Sequence, residues 1–139
     1  MKTKIFSLLL TVALLFSCAI PAYAVEARSS EQIQDIESTV TSSSGGKISI
    51  NFEITGTDTM DELGADSIYI YESTSSGWDL VKSFDRNDSN MTSKNTVYHA
   101  GTKTYYGTTG EEYLITISYF AEDSSGSDYR AESHKITAK

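Results

Sequence analysis

From Lys47 onward the chain alternates with period two. The segment Lys47-Ile48-Ser49-Ile50-Asn51-Phe52-Glu53-Ile54-Thr55 puts four apolar side chains on one face and polar ones on the other. Successive side chains of an extended chain point to opposite sides, so this is the pattern of a strand with one buried face. Residues 66–72 predict a second strand, with Ile68 and Ile70 facing one way and Tyr69 and Tyr71 the other. The turn Ser73-Thr74-Ser75-Ser76-Gly77 leads into a third over 78–84, where Trp78, Leu80 and Phe84 share a parity. A fourth runs over 95–106 and is expected to bend at Gly101, because a glycine inside a strand pattern marks a bulge or a close approach. Residues 112–122 and 129–137 form a last hairpin across Asp123-Ser124-Ser125-Gly126-Ser127-Asp128.

Upstream, residues 25–46 are polar and Ser-rich and predict a flexible lead-in with at most a first edge strand over 36–41. The mature chain shows no helical periodicity, and turn signals recur every strand length. The expected fold is therefore all-β, an antiparallel two-sheet immunoglobulin-like sandwich of about seven strands, counting the possible one over 36–41, with the folded domain over residues 47–139. Its predicted core is Ile48, Ile50, Phe52, Ile54, Ile68, Ile70, Leu80, Val97, Tyr113, Ile115 and Ile117. Burying each such side chain is worth roughly 1.5 to 3 kcal/mol before chain entropy is subtracted.

Residues 1–24 have a different build. Lys2 and Lys4 precede an apolar run from Ile5 to Phe16, and Ala22-Tyr23-Ala24 closes the segment. The run is too short for a bilayer-spanning helix of about 20 residues and predicts a secretory signal cut after Ala24. Leu15-Phe16-Ser17-Cys18 offers the alternative of a bacterial lipobox, which would leave the protein lipid-anchored at Cys18. Cleavage after Ala24 removes the single cysteine and the single proline, so the secreted domain would carry no disulfide.

The whole chain has a net charge of −8. Loss of Lys2 and Lys4 leaves 9 of its 11 basic side chains against all 19 acidic ones, a net of about −10. Such a surface repels nucleic acid and anionic lipid and keeps an exported domain soluble; a monomer with no transmembrane segment is expected. The partner expected is an extracellular protein or a glycan.

The segment Tyr113-Leu114-Ile115-Thr116-Ile117-Ser118-Tyr119-Phe120-Ala121-Glu122-Asp123-Ser124-Ser125-Gly126 resembles the sixth strand and following turn of fibronectin type III and related immunoglobulin-like sandwiches. In it, Gly110-Glu111-Glu112-Tyr113 is placed like the tyrosine corner of that family. The resemblance implies that Tyr113 hydrogen-bonds back to the backbone and fixes a Greek-key crossover. The layout is also similar to that of small secreted sandwich proteins of Gram-positive bacteria.

Catalytic chemistry has little material. The mature chain has His99 and His134, no cysteine, no G-x-S-x-G elbow, no H-E-x-x-H and no Gly-rich phosphate loop. The expected protein is not an enzyme; a small secreted hydrolase built on one of these histidines and a serine is the alternative. No cofactor is expected, except that calcium could bind weakly through Asp85, Asn87, Asp88 and Asn90, whose oxygens share one loop, as do those of Asp58, Asp61, Glu62 and Asp66. The same residues are also ordinary turn formers. The aromatics are the stronger candidates for ligand contact: Tyr69, Tyr71, Trp78, Tyr105 and Tyr106. Flat rings on a sheet stack on sugars or anchor protein interfaces, so a binding or surface-interaction module is expected, with a carbohydrate-binding module as a more specific alternative.

Overall fold

The computed structural model describes residues 32–139, and the signal peptide, the Cys18 alternative and the first residues of the lead-in lie outside them. The described chain is all-β. Its six strands are β1 (Ile33–Ser43), β2 (Lys47–Thr74), β3 (Gly77–Asp85), β4 (Thr92–Tyr106), β5 (Glu112–Asp123) and β6 (Gly126–Thr137). All neighbours are antiparallel and belong to one hydrogen-bonded sheet.

The strands expected over 47–55 and 66–72 are one 28-residue strand, which is why the count is six and not seven. β2 is the spine of the sheet. Its first half lies between β1 and β4, and its second half between β5 and β3, with β6 beyond β5. The bend falls where the ladder with β4 slips between Thr55 and Met60. A bulge of this kind turns a strand from one layer into another and lets a sheet curl over its own core.

The curl brings side chains from the two halves into contact. The Phe52 ring meets Tyr119 with centroids 6.5 Å apart, and Tyr105 of β4 meets Tyr113 of β5 at 5.7 Å. Ile48, Ile50, Phe52, Ile54, Ile68, Ile70, Tyr113, Ile115 and Ile117 are buried as the alternation predicts. Met60, Leu63, Met91, Tyr119 and Ala121 join them.

Two expected core residues lie outside. Leu80 is 55% exposed because Val81 is an extra residue in β3: Tyr71 pairs with Leu80 but Ile70 with Lys82, so parity inverts and Phe84, not Leu80, packs on the core. Val97 is 45% exposed, being skipped by the ladder between Tyr98 and Thr96, opposite the β2 bend. The bend expected at Gly101 is absent; β4 pairs regularly there. Gly101 instead marks a close approach, since a Cβ would lie 2.2 Å from the Phe52 ring.

The edge strand expected over 36–41 is present and runs further, from Ile33 to Ser43, so this part of the expected lead-in is strand. Its inward positions Ser38 and Ser42 are polar because they face β6, whose own inward row is Asp128, Arg130, Glu132, His134 and Ile136. Side chains, not a ladder, close this seam. The Gln32 N–H donates to Asp128 at 2.7 Å, Arg130 donates to the Ile33 carbonyl at 2.9 Å, Ser38 Oγ lies 2.6 Å from both Glu132 and His134, and the Lys139 N–H donates to Ser42 Oγ at 2.9 Å.

Candidate functional site

The outer face of the second half-sheet gathers three of the five candidate aromatics. Tyr69 and Tyr71 alternate outward along β2 with rings 6.3 Å apart. Trp78 stands opposite Ser73 on the adjacent β3, and a residue directly across an antiparallel pair shares its partner's face. Leu80, also outward through the Val81 bulge, lies opposite Tyr71 on one side, and Leu114 of β5 opposite it on the other. Lys135, next in that row on β6, extends until its Nζ is 5.2 Å from the Trp78 ring centroid. The result is a band of rings and aliphatic side chains under one ammonium group. Tyr69 is 37% exposed.

The other two aromatics do not join it. Tyr105 points inward, half-buried against Tyr113. Tyr106 is 68% exposed but pairs with Lys47 on the outer face of the first half-sheet. The residues that sequence reasoning left out of this face are Leu80 and Leu114. Leu114 was legible as an outward position of its strand, whereas Leu80 needed the bulge.

The acidic group after β3 is occupied with its own backbone, whereas the second, from Asp58 to Asp66, lies on β2 and not in the loop expected, with Glu62 and Asp66 engaged by side chains from elsewhere. Asp85 Oδ1 accepts the Asn87 N–H at 2.8 Å, Asp88 Oδ2 accepts the Asp85 N–H at 2.9 Å, and the Asp88 N–H returns to the Asp85 carbonyl. Asn90 adopts a left-handed φ of 64°, which asparagine tolerates. In the second group, Asp58 accepts the Thr59 N–H, Glu62 accepts from Thr92 and faces Lys94, and Asp66 is paired with Arg86 at 2.8 Å. Asp61 is exposed on β2. Among the described residues, no three carboxylate, imidazole or thiol groups converge as a metal site would require.

Each histidine has a serine at hydrogen-bond distance, with different chemistry. Ser38 Oγ has one proton and two partners at 2.6 Å, Glu132 Oε2 and His134 Nε2. The hydroxyl donates its one proton to the Glu132 carboxylate and so accepts from His134 Nε2–H, which means the imidazole does not draw the serine proton. Tyr119 adds its phenol to Glu132 and to the Glu37 carbonyl, and burial pushes its ionisation well above the usual range. His99 is 6% exposed and packs on Phe52. Its Nε2–H donates to the Asn90 carbonyl at 3.3 Å, leaving Nδ1 to accept from Ser93 Oγ at 2.8 Å. Both ring nitrogens are thus satisfied, the usual condition of a buried polar group, and desolvation lowers its pKa despite the carbonyl contact.

Tyr113 ties the loop after β4 to β2. Its Oη accepts the Thr108 N–H at 2.8 Å, five residues upstream, and donates to Glu72 at 3.0 Å. No helix among the described residues is long and apolar enough to cross a membrane. No model of a known protein family matches the chain, and no curated protein matches it in sequence.

Proposed function

We propose that this chain is an exported, non-catalytic binding module with an immunoglobulin-like sandwich fold, recognising an extracellular ligand through the outer face of Tyr69, Tyr71, Trp78, Leu80 and Leu114. The observation that carries the reading is the convergence of Tyr69, Tyr71 and Trp78 from two strands onto one outward face. Aromatic rings lose few rotamers on binding and bury large areas, so a cluster of them at the surface of an acidic, polar domain is suited to recognition. Export is supported by the composition of residues 1–24. The sandwich is supported by the edge-on ring contacts of Phe52 with Tyr119 and of Tyr105 with Tyr113 between the two halves of the sheet.

A glycan suits this face best. The rings offer stacking surfaces to the apolar side of a sugar, while the hydroxyls of Thr116 and Ser133 and the Lys135 ammonium border them in the same rows. Affinity electrophoresis through gels containing neutral polysaccharides tests it: the native protein is retarded, and the Tyr71→Ala/Trp78→Ala double variant migrates freely with an unchanged circular dichroism spectrum. Equal retardation of the folded double variant would refute the assignment of this face.

A further inference from the structure

Four strands, β1, β3, β4 and β6, have a ladder partner on one side only. Such edges are templates for another chain, and no proline protects them, since the only one in the sequence is Pro21. The β1 and β6 edges are occupied by each other through the polar seam of Ser38, Glu132, His134 and Arg130. The other side is a continuous run in which β4 pairs with the first part of β2 and β3 with the last.

That run has an attractive segment and two obstacles. Leu80 and Val81 are adjacent, apolar and exposed at 55% and 37%, and an antiparallel pairing of β3 with β3 of a second copy would bring them together around a two-fold axis. The obstacles are lysines on the core-facing rows. Lys82 stands opposite Ile70 and Lys103 opposite Ile50, both partners fully buried. Their Nζ atoms lie 4.9 and 5.1 Å from the same Phe84 ring centroid, and Lys103 also donates to the Ser89 carbonyl. Among the described residues neither lysine is in an ion pair; those formed are Arg86 with Asp66 and Glu122, and Lys94 with Glu62. A lysine in this position runs its stem over the rim of the core and keeps its charge in water only while the edge stays open. An added strand would bury the ammonium groups without counter-ions, a heavily unfavourable step.

We infer that Lys82 and Lys103, helped by the Val81 bulge, keep the β3–β4 edge from pairing with a second copy of this chain and thereby hold the protein monomeric. The test is the solution mass by light scattering across a concentration series, with amide exchange of β3 as a second readout. The native protein keeps the monomer mass, and the outward N–H groups of β3 exchange freely at every concentration. Lys82→Val/Lys103→Val doubles the mass as concentration rises and slows those amides, while Lys82→Glu/Lys103→Glu, which retains inward charge, stays monomeric. If the valine variant precipitates, Lys82→Thr/Lys103→Thr, a soluble strand-forming pair, should show the same doubling. A folded neutral variant that remains a monomer with unchanged β3 exchange would overturn the inference, as would a native protein already dimerised through β3.

Discussion

Tyr113 and Glu72 stand directly opposite one another on β5 and β2, and the phenol donates to Glu72 Oε1 at 3.0 Å while accepting the Thr108 N–H at 2.8 Å. One side chain therefore ties the loop after β4 to the central strand. Gly107 lies against the same ring, where a Cβ would come 2.6 Å from Tyr113 Cζ. Tyr113→Phe keeps the packing and orphans both partners, which should cost about 1 to 3 kcal/mol in urea unfolding. Gly107→Ala should cost a similar amount, about 1 to 3 kcal/mol, by overpacking. If either variant unfolded at the native urea midpoint, the Tyr113 tie would not be a stabilising element.

His99 makes stability depend on acidity. Its pKa is lowered in the folded state from an ordinary value of 6.5, with desolvation as the main cause. On acidification through that ordinary value, the unfolded chain takes up a proton that the folded chain refuses. Stability therefore rises with pH across this window and falls as pH drops below it. Urea midpoints at neutral and mildly acidic pH should differ more for the native protein than for His99→Gln. Identical pH slopes would remove His99 from the account.

The Val81 bulge makes a prediction that simple alternation reverses. Leu80 and Ile115 are both apolar strand residues, yet one is 55% exposed and the other fully buried. Ile115→Ala should cost about 2 to 5 kcal/mol, whereas Leu80→Ala should stay within about 0.5 kcal/mol. Comparable losses for both would place Leu80 in the core and erase the bulge.

The same bulge shows where sequence reasoning reaches its limit. Period-two alternation reports only local geometry, so it found the inward row from Ile48 to Ile54 and the outward placement of Tyr69 and Tyr71. It missed the inversion at Val81 because nothing within β3 distinguishes an extra residue; the register against Tyr71 and Ile70 does. The continuity of β2 through residues 57–62, polar except for Met60, was equally hidden, since it depends on pairing with β4 and β5 from far along the chain. Of β1 only 36–41 was legible as strand, because Ser38 and Ser42 occupy inward positions that only the charged row of β6 explains. For the candidate site, Tyr69 and Tyr71 were legible as a pair, but the joining of Trp78 and the inward turn of Tyr105 are facts of register.

The polar seam between β1 and β6 should respond to loss of its central hydroxyl. Ser38→Ala leaves Glu132 and His134 without their shared partner at 2.6 Å, with an expected cost of about 1 to 3 kcal/mol. Amide exchange should rise first in β1, because its outer side is held by side chains alone. Unchanged β1 exchange in a folded Ser38→Ala protein would show that the seam is not what holds that strand.

The most direct test of the central claim is an amide chemical-shift titration of the native protein with soluble neutral oligosaccharides. Binding through this face concentrates the shifts at Tyr69, Tyr71, Trp78, Leu80 and Leu114, saturating with one dissociation constant. Saturable shifts that instead centre on Tyr98 and Tyr106 of the first half-sheet, or on the Asp85 to Asn90 loop, would contradict it, as would no shift with any glycan.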